Sequence, residues 1–142
     1  MSKQIDPRGP RFGAAITTIV VAAALVTLPT TTAIVLIAIQ LVAHALGAFV
    51  GLSAQPYGIL YRKLVQPRLA KPTELEDEAP PKFAQLVGFI FAAAALVALA
   101  VHQTAVAQII VALHLAASFL NAAFNFCLGC QMYLIGKRII SS

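Results

Sequence analysis

The sequence predicts an all-α integral membrane protein built as a four-helix bundle. Three observations predict it. Charged residues are only 11% of the 142 and hydrophobic ones 60%, whereas a soluble domain carries about 25% charged residues. Four long runs contain no Asp, Glu, Lys or Arg. All ten Lys and Arg lie outside those runs, on what becomes one side of the bundle. Mean hydropathy is +0.87.

The expected spans are 12–28, 33–54, 83–101 and 105–127, within one membrane domain covering 1–142. Each is about 17–23 residues, enough to cross the hydrocarbon core as a helix. Helices are required because lipid offers no partner to open backbone groups. The first span follows Lys3, Arg8 and Arg11, as a signal peptide would. Thr31-Thr32-Ala33 is a poor cleavage site, so the span is read as retained. Pro29 to Thr32 makes the first tight turn, where threonine can cap the second helix. His102-Gln103-Thr104 makes the other. Each turn closes an antiparallel hairpin.

Orientation follows from charge. Lys3, Arg8, Arg11, Arg62, Lys63, Arg68, Lys71, Lys82, Lys137 and Arg138 lie at the two ends and in loop 55–82. The positive-inside rule places these segments in the cytoplasm of a bacterial inner membrane. The net charge of +5 is thus a topology signal. It does not mark a nucleic-acid surface, because the basic residues flank spans.

The two hairpins read as a tandem repeat. Arg11-Phe12 matches Lys82-Phe83, and 22–26 matches 93–97, at an offset of 71. At an offset of 70, His44 matches His114 and Phe49 matches Phe119. Two such halves relate by an axis along the membrane normal. Gly47-x-x-x-Gly51, and Gly88 with Ala92, have the spacing of close helix contacts in lipid.

Two polar stripes run along single helix faces. Gln40 and His44 share one with Gly47 and Gly51; His114, Ser118, Asn121 and Asn125 form the other. Polar groups in a span turn inward to find partners. Both histidines fall near the midplane. The stripes admit three readings: hydrogen bonds between helices, a quinone or small-molecule pocket, or axial ligation of a haem by His44 and His114. No metal site or cofactor is specified.

Cys127-Leu128-Gly129-Cys130 is a C-x-x-C motif at the cytoplasmic end of the fourth span. Such pairs cycle between dithiol and disulfide. Read as the C-terminal end of that span, the position has a dipole that opposes thiolate formation. On a continued helix the pair also falls opposite the His114 stripe. In a reducing cytoplasm a permanent bridge is not expected.

In the middle loop, Tyr57 to Leu69 mixes apolar and basic residues. It is expected to lie on the inner leaflet with Tyr57 and Tyr61 at the interface. Thr73 and Glu76 fit a capping box, and the acidic stretch 74–78 reads as a solvated loop or a docking site. The chain has no phosphate loop, serine elbow or H-E-x-x-H. The spans hold no carboxylate for proton or cation transport.

The segments Asp6-Pro7-Arg8-Gly9-Pro10-Arg11-Phe12, Gln55-Pro56-Tyr57 and Asn125-Phe126-Cys127-Leu128-Gly129-Cys130 resemble the domain-of-unknown-function 4395 family. These are small, mainly actinobacterial membrane proteins, and the likeness covers nearly the whole chain. It implies no established activity. Family members often stand beside thioredoxin-like or sulfurtransferase proteins. That association implies a thiol-redox or sulfur-relay role for Cys127 and Cys130 with such a soluble partner. The alternatives are a non-catalytic subunit or adaptor of a membrane complex, and a haem- or quinone-binding bundle. No stand-alone enzyme is expected.

Overall fold

The computed structural model describes residues 4–141. A two-residue strand β1 (Gln4–Ile5) leads into α1 (Arg8–Thr27). Helix α2 (Thr31–Ala45) continues through a wider π turn, Leu46–Val50. A short helix α3 (Pro56–Leu60) follows and extends irregularly to Arg68. Strand β2 (Glu76–Asp77) precedes α4 (Ala79–Ala100), α5 (Thr104–Phe124) and α6 (Leu128–Ser141). Four stretches are long and apolar enough to cross a membrane: Arg8–Thr27, Thr31–Val50, Ala79–Ala100 and Thr104–Phe124. The protein is an all-α membrane bundle.

The helix ends have local causes. Thr30 caps α2, its hydroxyl accepting from the Ala33 N–H at 3.4 Å. Helix α4 starts ahead of the apolar run because Pro80 and Pro81 suit a first turn, where no N–H partner is needed. Thr73 and Glu76 form no capping box. Instead Asp77 accepts from the Ala79 N–H at 3.0 Å, and Glu76 pairs with Ile5 in the β1–β2 ribbon. Helix α5 ends at Asn125, which takes the left-handed conformation, φ 55°. Asparagine tolerates that region better than most residues.

The spans form a ring in which α1 touches α2 and α5, and α4 touches α5 and α2. Exchanging α1 with α4 and α2 with α5 leaves this pattern unchanged. The symmetry reaches beyond the hairpins. Short helix α3 packs on α1 as α6 packs on α4. Phe12 meets Tyr61 at 5.6 Å between ring centroids, and Phe83 meets Tyr133 at 5.8 Å. Asp6 accepts from the Arg8 N–H as Asp77 does from Ala79. Gln4 pairs with Asp77 and Ile5 with Glu76, so the ribbon straddles the axis.

The core is narrow and made of small residues. Val21, Ala24, Ile37, Ala92, Ala95 and Val111 are its buried members. Alanine lets backbones approach, which drives association where lipid removes the hydrophobic incentive. Larger apolar side chains such as Val26, Val97 and Ile109 face outward to lipid. Of the small-residue pairs, Gly47 seats Gln85 and Gly88 seats the His44 ring. Gly51 instead breaks the helix at φ 141°.

Candidate functional site

The two histidines meet on the axis. Their Nε2 atoms are 3.2 Å apart and the rings 5.1 Å between centroids. The partners fix the protons. Gln85 Oε1 lies 2.9 Å from His44 Nδ1 and can only accept, so that nitrogen carries a hydrogen. His44 Nε2 is then an acceptor, shared by Gln40 Nε2 at 3.2 Å and by His114 Nε2–H. Gln40 also donates to Thr17 Oγ1, and its carbonyl accepts from the Tyr57 hydroxyl. Gln40 is 1% exposed and His44 5%. The hydrogen bonds of this network offset the cost of burying Gln40 and His44.

One acceptor is left over. With its hydrogen on Nε2, His114 has a lone pair on Nδ1, and among the described residues no side chain bonds it. An axial haem pair needs the metal and macrocycle between its nitrogens. Here the two Nε2 atoms are in direct hydrogen-bond contact. The open volume lies beside the pair, not between its members.

That volume is a cavity of about 320 Å³. It is bordered by His44, His114, Ser118, Asn121, Phe91 and Cys127, among others. Ser118 turns its hydroxyl back onto the His114 and Leu115 carbonyls. Asn125 lies apart: it is exposed and closes α5. The cavity therefore joins three of the four residues of the second polar stripe to the first cysteine.

The pseudo-symmetry explains the cavity. Tyr57 stands four residues before Tyr61, and Gly129 four before Tyr133. In the first half the Tyr57 ring fills the space beneath the bundle and reaches Gln40. In the second half its counterpart has no side chain. A Cβ on Gly129 would sit 2.6 Å from Ala84 Cα, so α6 is drawn tightly onto α4 while the ring's volume stays empty.

The cysteines are not at the C-terminal end of a span. The chain turns at Asn125, and Cys127 immediately precedes α6. Cys127 Sγ accepts from the Cys130 N–H at 3.1 Å. Both sulfurs thus lie at a helix N-terminus, whose dipole favours a thiolate. The turn also swings Cys127 to the cavity, onto the same side as His114. The two are joined in a disulfide with Cα atoms 5.2 Å apart. Only Cys127 borders the cavity.

The tyrosines of the middle segment also differ from expectation. Tyr57 and Tyr61 are buried, and Leu60 and Leu64 are exposed instead. Tyr61 donates to Asp6 Oδ2 at 2.8 Å. Asp6 also receives bonds from Arg8 and Gln66. Burial raises the Asp6 carboxyl, but the bonds from Arg8, Tyr61 and Gln66 outweigh it and hold the group below its ordinary value. Burial and then the Asp6 carboxylate push the Tyr61 phenol up to about 12. This cluster ties α1 to the segment after α3. Sequence reading missed it because Asp6 looks like any loop acid; its match to Asp77 across the repeat was the available signal.

Fold and site together define a class: a small membrane bundle with a C-x-x-C pair whose first cysteine borders a cavity between the helices. The chain belongs to the family described as domain of unknown function DUF4395, whose model matches residues 5–138. No curated protein and no solved structure matches it.

Proposed function

We propose that this protein is a membrane-anchored thiol–disulfide exchange centre, with Cys127 and Cys130 as the reacting pair. The observation that carries the reading is the double placement of Cys127. It begins α6, where its sulfur receives an N–H, and it borders the cavity that holds the histidines. The charge distribution supports a bacterial inner-membrane location with both termini and the C-x-x-C end in the cytoplasm. The partner is a soluble thioredoxin-like dithiol.

The exchange balances in two steps. A partner thiolate attacks Cys130 Sγ, the sulfur away from the cavity. The Cys127–Cys130 bond breaks and Cys127 leaves as a thiolate, held by the Cys130 N–H. The partner's second thiolate then attacks the mixed disulfide, releasing Cys130. The partner becomes a disulfide, and two electrons and two protons pass to Cys127 and Cys130.

Inverted vesicles test this. After reduction, a membrane-impermeant maleimide should label at least one of the two thiols. Oxidant should remove the labelling, and thioredoxin with its reductant should restore it. Thiols that never label, or a bridge that thioredoxin cannot open, would leave an adaptor role as the better reading.

A further inference from the structure

Every exchange centre needs a second redox partner, and a soluble thiol explains only one side of the disulfide. Cys127 is half-buried and borders the cavity. Its other wall carries His114, whose Nδ1 is unprotonated and unpartnered among the described residues. Asn121, on the same helix, also borders the cavity and presents an amide. Most of the remaining lining is apolar, including Phe91 and Leu113. Leu113, Leu128 and Met132 border the cavity and are themselves exposed, so the cavity is open on the side of α5 and α6. Its size is within the range of small-molecule sites, about 300–1,000 Å³.

Resting on the exchange reading above, we infer that the cavity binds the ring of a lipid-soluble quinone, which takes two electrons from the Cys127–Cys130 dithiol. The match is chemical. A quinone is flat and apolar enough to enter from lipid, has two carbonyl oxygens for polar walls, and accepts an electron pair with two protons. His114 Nδ1 takes the proton of the Cys127 thiol. The Cys127 thiolate adds to a ring carbon, forming a carbon–sulfur bond. Cys130, as thiolate, attacks Cys127 Sγ; the sulfur–sulfur bond forms and the carbon–sulfur bond breaks. The electron pair stays on the ring. One oxygen takes the proton held by His114, and the other takes the proton lost by Cys130. Dithiol and quinone become disulfide and quinol. The Asn121 amide holds a carbonyl oxygen during this exchange.

The test uses the full chain in lipid nanodiscs, reduced and freed of reductant. The probes are a tetrasubstituted benzoquinone with a decyl tail and a 2,3-dialkyl naphthoquinone. Full ring substitution prevents a permanent sulfur adduct. Quinone absorbance should fall by one equivalent per protein as both thiols disappear. Ala117→Phe, which fills the cavity, should slow quinone reduction at least tenfold while thioredoxin still reduces the disulfide within twofold of wild type. Val97→Phe, on the lipid face, should alter neither rate. His114→Gln keeps a hydrogen-bonding side chain without the base. It should slow quinone reduction about a hundredfold, the low end of the loss expected for a general base. Exchange with thioredoxin but no quinone reduction overturns this inference and leaves the exchange reading standing. Quinone reduction undiminished in Ala117→Phe also overturns it, since the reaction is then outside the cavity. Loss of thioredoxin exchange in the wild type sinks the exchange reading itself.

Discussion

Gln55 and Cys127 hold the same place in the two halves. Each begins a short helix and accepts from the backbone N–H three residues on: Gln55 Oε1 from Gly58 at 2.8 Å, and Cys127 Sγ from Cys130 at 3.1 Å. Cys127 is therefore a helix cap, in the position where the other half keeps an amide.

Cap and redox roles are separable. With Cys130→Ala as the bridge-free background, adding Cys127→Gln should preserve the thermal midpoint. Adding Cys127→Ala instead should lower stability by roughly 0.5–2 kcal/mol, the usual cost of a lost cap. Equal midpoints for the two double variants would show that Cys127 does not cap α6.

Three glycines should respond differently to alanine. A Cβ on Gly88 meets the His44 ring at 2.6 Å, and one on Gly129 meets Ala84 backbone at the same distance. Each change should cost about 1–3 kcal/mol by overpacking, and more at Gly129, where backbone must move. Gly136 has nothing within 4 Å of its Cβ. Its replacement should stabilise α6 by roughly 0.5–1 kcal/mol. Thermal midpoints in detergent check the order.

The Asp6 cluster gives a pH dependence. A carboxylate depressed in the folded state binds fewer protons there than when unfolded. Its stabilisation is complete above the ordinary value of 3.8 and is lost as pH falls below it. Tyr61 works in the opposite sense: a raised phenol contributes fully below its ordinary value of 10.0 and loses this as pH rises toward about 12. Asp6→Asn should cost roughly 1–3 kcal/mol at pH 7, from weakened bonds to Arg8, Tyr61 and Gln66. The variant's midpoint should also fall less than wild type between pH 5 and 3. Parallel curves would show that another group sets acid stability.

Topology is checked with reporter fusions at Thr31 and after Ser142. A periplasm-active reporter should work at the first and fail at the second. A cytoplasmic signal at Thr31 would invert the orientation, and with it the side on which Cys130 meets its partner.

The four spans were legible because each is a long run without charge, and the histidine pair because a repeat offset predicts symmetric placement. The cysteine site was not. Reading one apolar run through Cys127 hid the turn at Asn125, which rests on a single left-handed residue. Cysteine is also not a usual cap, so nothing in the letters announces the start of α6. The β1–β2 ribbon is too short to leave a pattern. The cavity was the hardest feature to foresee, because it arises from a ring missing at Gly129 and present at Tyr57. Periodicity describes what a face carries, not what its counterpart lacks.

That difference between Tyr57 and Gly129 has a consequence for how such a chain can change over time. One copy of the unit is anchored by an inner web of amide, phenol and imidazole, while the other has a hollow in the corresponding place. Changing Gln40 or Tyr57 leaves buried partners unpaired, whereas a side chain that only lines the hollow gives up fewer bonds. Substitutions that reshape the hollow for a different guest are therefore open to this protein, whereas changes around Gln40 and Tyr57 put the whole bundle at risk.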